Sequence, residues 1–78
     1  MTLADLNKGD CVHIESIDTA TRSVQRLMVM GLVEGAELRF VGASLGGDPL
    51  EFLLHGSAVS LRRADARQFE IRPQPIDG

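Results

Sequence analysis

The 78-residue chain has no tryptophan, no tyrosine and only three phenylalanines. Single-stranded bases dock by stacking on aromatic side chains, so that mode of nucleic-acid binding has little to work with. Cysteine is equally scarce. Cys11 stands alone, which excludes an internal disulfide framework and zinc-finger spacing and suits a reducing compartment. Long apolar runs are missing too: no stretch approaches the roughly 20 residues that a membrane-spanning helix needs. Met1 to Asp10 lacks the basic and then apolar profile of a secretion signal, so a cytoplasmic location without direct membrane insertion is expected. Nor is there an excess of positive charge, because 8 basic side chains face 11 acidic ones, for a net charge of −3. Both halves are mildly acidic, with four basic against six acidic residues over 1–40 and four against five over 41–78. The one basic stripe, Arg62, Arg63 and Arg67, is interrupted by Asp65. Phosphate backbones repel such a surface, and no nucleic-acid partner is expected.

What remains is a succession of short periodic patterns. Thr2 to Leu6 reads as one helical turn, with Thr2 placed to cap Asp5. Cys11 to Ile17 alternates, with Val12 and Ile14 on one side, Cys11 and His13 on the other, and a bulge near Ser16 to explain the odd phase of Ile17. Over Thr19 to Met30 the period lengthens, and Val24, Leu27, Met28 and Gly31 form the inner stripe of an amphipathic helix capped by Thr19 or Thr21 and closed at Gly31. Leu32 to Gly35 reads as a tight turn. Ala36 to Val41, Leu50 to His55 and Val59 to Arg62 alternate as strands, the last two forming a hairpin about Gly56-Ser57. A turn at Arg63 to Arg67 leads to a last strand, Gln68 to Arg72, with Phe69 and Ile71 inward. The pattern predicts a mainly β domain over residues 1–72, with 73–78 as a flexible tail. Five short strands, one inserted helix and a short N-terminal helical turn are best accommodated by a small, partly open barrel, which hides most strand edges.

Chemistry-bearing groupings are few. Gly42 to Pro49 is glycine-rich but leads into a strand and lacks the Lys-Ser/Thr ending, so it is no phosphate loop. Cys11 and His13 share a strand face, and Glu15, Glu51 or His55 could supply further ligands. Two neighbouring ligands do not make a structural zinc site, and no cofactor is expected, with a weakly held Fe2+ or other divalent ion left open on Cys11 and His13. No oxyanion donor or orienting third group accompanies Cys11 and His13, so an enzyme is not expected. Met28 reads as core, whereas Val29 and Met30 divide between a second core contact and a binding patch. Leu45, a large apolar residue in the Leu45-Gly46-Gly47-Asp48-Pro49 loop, serves either as a lid on the barrel end or as a contact offered to a partner.

Taken together, Thr2-Leu3-Ala4-Asp5-Leu6 with Gly9, Arg26-Leu27-x-x-Met30-Gly31-Leu32-Val33-x-Gly35, Leu45-Gly46-Gly47-Asp48-Pro49-Leu50-Glu51 and Ser60-Leu61-Arg62 resemble the ferrous iron transport protein A (FeoA) family over residues 2–72. A related domain closes the iron-dependent repressors. The resemblance implies an SH3-like barrel in the bacterial cytoplasm, a non-catalytic adaptor or regulator beside a membrane ferrous iron permease of the FeoB type, whose N-terminal domain is a G protein. It points to Leu45, Gly46, Asp48, Pro49, Met30 and Arg26 as partner-binding residues, and it places the protein at the inner face of the membrane through that partner. Glu34 and Ser44 stand where the family often has proline, the loop carries an extra glycine, and Ser57 replaces a common aromatic. Two other readings remain open, a ferrous iron sensor or carrier using Cys11 and His13, and a detached repressor-type interaction domain. Weak self-association also stays open.

Overall fold

The computed structural model describes residues 1–73. The chain begins with a 3-10 turn, Leu3–Asp5, held by the expected capping box. Thr2 Oγ1 accepts from the Ala4 N–H at 3.2 Å, and the Asp5 carboxylate accepts from the Thr2 N–H at 2.8 Å. Those contacts occupy amides that a helix start otherwise leaves without partners. Strand β1 spans Cys11–Ile17. Helix α1 spans Arg22–Val29, with Thr21 Oγ1 accepting from the Val24 N–H at 3.3 Å. It is shorter than the predicted Thr19 to Met30, because Thr21 takes the extended cap conformation and the helix starts only after it. Strand β2 covers Glu37–Ala43, and a 3-10 turn, Leu45–Gly47, precedes β3 at Leu50–Leu54. Strand β4 is Ser57–Leu61 and β5 is Phe69–Pro73. Between them the expected turn is a four-residue helix, α2, at Arg63–Ala66.

All neighbouring strands are antiparallel, in the order β4-β3-β2-β1-β5. The hairpin turn falls one residue earlier than expected. His55 and Gly56 take φ of 51° and 82°, the left-handed pair of a two-residue connection, so β4 starts at Ser57 and not Val59. The pairing of β1 with β5 shifts register between Ile14 and Ser16, the anticipated bulge. Pro73 pairs with Val12 and so belongs to β5, and the remainder of the expected tail, 74–78, lies outside the described residues.

Period-two burial follows this register. Val12, Ile14, Leu38, Phe40, Phe52, Leu54, Val59, Leu61, Phe69 and Ile71 line the inner face of an open, curled sheet, and Leu3, Val24, Leu32, Ala36 and Ala66 close over it. Phe40 and Phe52 face each other across β2 and β3 with ring centroids 5.3 Å apart. Two expectations need correction. Met28 is only half-buried and lies outside the core cluster, while Leu32, assigned to the tight turn, is completely buried. The helix ends at Val29 and the chain turns back at Gly31, where φ is +115°. That reversal drives Leu32, in place of Met28, under the sheet. A methyl group on Gly31 would lie 3.3 Å from Leu54 Cδ2, so glycine also permits the close approach of this turn to β3. No helix among the described residues is long and apolar enough to cross a membrane.

Candidate functional site

The Leu45 to Pro49 loop is fastened by its own backbone and by α2. Within it, the Gly47 N–H donates to the Ser44 carbonyl at 2.8 Å and the Ser44 N–H to the Pro49 carbonyl at 3.0 Å. Gly46 and Gly47 both have φ of +84°, a conformation costing a side-chain-bearing residue roughly 1–2 kcal/mol, which accounts for the extra glycine. From α2, the Arg63 guanidinium donates to the Gly47 carbonyl through Nη2 at 2.9 Å and Nε at 3.3 Å, and through Nη1 to the Ala4 carbonyl at 3.3 Å. The Asp48 carboxylate answers by accepting the Arg63 N–H at 3.0 Å, supplying the side-chain cap that Arg62 at the N-cap does not provide. One residue, Arg63, thus joins the loop, α2 and the N-terminal turn.

This clamp leaves Leu45 wholly outside. Its relative exposure is 101%, so it is no lid on the barrel end. Gly46 and Asp48 are exposed beside it, and Pro49 is half-buried. Asp48 and Pro49 line a shallow cleft of about 350 Å³ with Arg62.

Arg26 and Met30 belong to a different part of the surface. Helix α1 touches α2 at its start, where Ser23 Oγ donates to Asp65 Oδ1 at 2.8 Å. It ends beside Leu54, at the far end of β3 from the loop. Leu50 and Leu54 are about 13 Å apart at the ordinary strand rise. The six residues that the resemblance singled out therefore form two groups, Leu45, Gly46, Asp48 and Pro49 at one end and Met30 at the other, with Arg26 one turn before it. Val29 and Met30, 89% and 61% exposed, are not a second core contact and form an apolar helix edge. Arg22, Gln25, Arg26 and Val29 line a groove of about 270 Å³ along it.

The outer face of the sheet carries the remaining candidates. Cys11 lines an open cleft of about 300 Å³ with Glu37, Arg39, Leu53, His55 and Gly56. His13 lies opposite Glu37 in the β1–β2 register, with Nε2 3.5 Å from its carboxylate. Glu15 sits 3.5 Å from Arg72 Nε, and the Glu51 carboxylate accepts from Ser44 Oγ at 3.3 Å and Ser60 Oγ at 2.5 Å. Glu15 and Glu51 are thus drawn to other partners, and the carboxylate that approaches His13 and shares the cleft of Cys11 is Glu37. Among the described residues no three His, Cys, Asp or Glu side chains come together in a way that could hold a metal ion. Among the described residues the donors do not fit a resident metal.

Sequence reasoning missed Arg63, which it treated as part of a basic stripe. The chain offers no local signal for that role, because the two carbonyls that Arg63 bridges lie 16 and 59 residues away.

Comparison with known proteins follows the same lines. The FeoA domain profile matches residues 1–73. The FeoA protein of Chlorobium tepidum superposes with a TM-score of 0.88 at 31% identity, over 100% of this chain and 74% of that one. The Stenotrophomonas maltophilia FeoA, solved with zinc and described as an SH3 domain protein proposed to act as a ferrous iron transport activating factor, gives 0.79 at 29% identity, over 92% and 89%. A manganese-dependent transcriptional repressor shares the fold, with a TM-score of 0.84 at 17% identity over 95% of this chain and 36% of that one. No curated protein matches the sequence.

Proposed function

The chain belongs to the FeoA family, and from that premise we propose that it is a non-catalytic adaptor of ferrous iron transport, docking through its Leu45 loop on the cytoplasmic, G-protein-containing part of a ferrous iron permease. The observation that carries this reading is a fully exposed leucine on a loop fixed at both flanks. An apolar side chain in water gains about 1.5–3 kcal/mol on burial. Because Arg63 and Asp48 already hold the loop, little ordering entropy opposes that gain on binding. Asp48 acts in this scheme by positioning Leu45, and the cleft beside Pro49 and Arg62 receives whatever flanks the leucine's pocket on the partner. Docking biases the permease's transport or nucleotide cycle from the inner face of the membrane.

The test is binding of the purified cytoplasmic domain of the permease, measured by calorimetry, together with ferrous iron uptake in cells. Leu45→Asp, with an unchanged melting temperature, is expected to weaken binding by roughly 10- to 100-fold and to lower uptake. Wild-type binding and uptake in that folded variant would refute the assignment of this surface.

A further inference from the structure

The two outer strands of the sheet are protected very differently. The free side of β5 is occupied by the N-terminus: the Ile71 N–H donates to the Met1 carbonyl at 3.0 Å, and Thr2 bridges to Glu70. The strand also carries Glu70, Arg72 and Pro73, and a bulge interrupts its pairing. These are the usual devices against unwanted strand pairing. Strand β4 has none of them. Ser57-Ala58-Val59-Ser60-Leu61 contains no charge and no proline, its register with β3 is unbroken, and among the described residues no backbone hydrogen bond reaches it from any element but β3.

The groups left open on that edge follow from the hairpin. A two-residue connection at His55 and Gly56 makes Leu54 and Ser57 a hydrogen-bonded pair, and the alternation of an antiparallel ladder then turns Ser57, Val59 and Leu61 toward β3. The N–H and C=O groups of Ala58 and Ser60 point away from the sheet, and both residues are exposed.

We propose that this edge pairs with the same edge of a second copy of the chain, about a two-fold axis at Val59. Ala58 of each copy then exchanges both backbone hydrogen bonds with Ser60 of the other. The choice of a second copy rests on charge and symmetry. Two molecules of net charge −3 repel, yet this strand's own side chains bring no charge of either sign into register, and the axis places Ala58 opposite Ser60, Val59 opposite Val59 and Ser57 opposite Leu61. With one open edge among the described residues, pairing also closes at two. A five-residue contact buries less than the roughly 800 Å² per partner of a standard stable interface. The dimer is therefore weak, with dissociation on the order of 0.1–1 mM.

Sedimentation and amide exchange from about 10 µM to about 1 mM test the proposal. The expected result is a mass rising toward that of a dimer, with the Ala58 and Ser60 amides gaining protection as concentration increases. Ala58→Pro removes an outward N–H while sparing the β3 ladder, and Ala58→Lys installs the charge that natural edges use. Each should weaken association by about 10-fold or more, and the melting temperature of Ala58→Lys confirms an intact fold should the proline variant fail to fold. A wild-type chain that remains monomeric throughout, including one whose edge accepts only a foreign strand, overturns the proposal. So does association that survives Ala58→Lys but is abolished by Val29→Glu, which would place the contact on α1.

Discussion

Replacing Arg63 by methionine keeps most of the apolar stem and removes every guanidinium donor. Two of those donors converge on the Gly47 carbonyl, at 2.9 and 3.3 Å, and the third reaches Ala4 at 3.3 Å. Bonds from a charged donor are worth about 1.5–3 kcal/mol when short and well aligned. Only the 2.9 Å contact meets that standard, and the two longer ones add a fraction each. Arg63 is half-buried, so solvent competes with all three, and the Gly47 and Ala4 carbonyls regain water when the side chain is cut back. A loss of about 2 kcal/mol follows. For a chain of this size that lowers the melting temperature by roughly 8–16 °C, to be read by calorimetry or circular dichroism. Amide exchange should localise the loss: Gly47 and Ala4 gain exchange, while the β1–β2 ladder opens only in proportion to global stability. Lysine is not expected to rescue, since a single ammonium lacks the planar fork that spans two carbonyls. On the proposed function, Arg63→Met also weakens permease binding without touching the partner, because Leu45 must then be ordered on docking. A melting point within 2 °C or so of wild type, or loop exchange that does not change, would refute the idea that this arginine fixes the loop.

Asp5 supplies a pH-dependent prediction. The Thr2 N–H, donating to its carboxylate at 2.8 Å, holds the Asp5 pKa below the ordinary value of 3.8. The folded state therefore favours the ionised form. The stabilisation is present above 3.8 and disappears as pH falls through the lowered value. Asp5→Asn should flatten that acid-side fall in melting temperature relative to wild type, and parallel pH profiles would contradict the capping account. Gly47→Ala puts a side chain at φ +84° with its Cβ 3.7 Å from Arg63 Nη2, an ordinary contact. Backbone strain alone then costs roughly 1–2 kcal/mol, to be measured as a lower urea midpoint at unchanged slope.

Much of the architecture could be read from local pattern. Alternation over Val12 and Ile14, Leu38 and Phe40, Phe52 and Leu54, and Phe69 and Ile71 specified both the strands and their inner faces, because successive strand side chains point to opposite sides. Thr2 with Asp5 marked the first helical turn through bonds that span two or three residues, whereas for α1 the sequence offered Thr19 or Thr21 as the cap and the structure uses Thr21. The misreadings fell where the chain reverses direction. Helical spacing put Met28 on the buried stripe, but the stripe ran out at the end of a helix of only 8 residues, and the turn after it buried Leu32 instead. The hairpin shifted by one residue because His55, a non-glycine, adopts a left-handed conformation.

For the candidate site the division was sharper. Sequence alone marked the Leu45 to Pro49 loop as unusual, since paired glycines, a proline and an unexplained leucine are local facts. Whether that leucine covers the barrel or faces water was settled by the curl of the sheet, which carries α2 back over the loop and brings Arg63 to carbonyls far away in the chain. The same curl sets Met30 and Leu45 at opposite ends of β3 and leaves one strand edge capped by the N-terminus and, among the described residues, the other bare. Residue periodicity encodes which face a side chain takes. Which distant segments meet depends on strand order and closure, quantities that no short window of sequence contains.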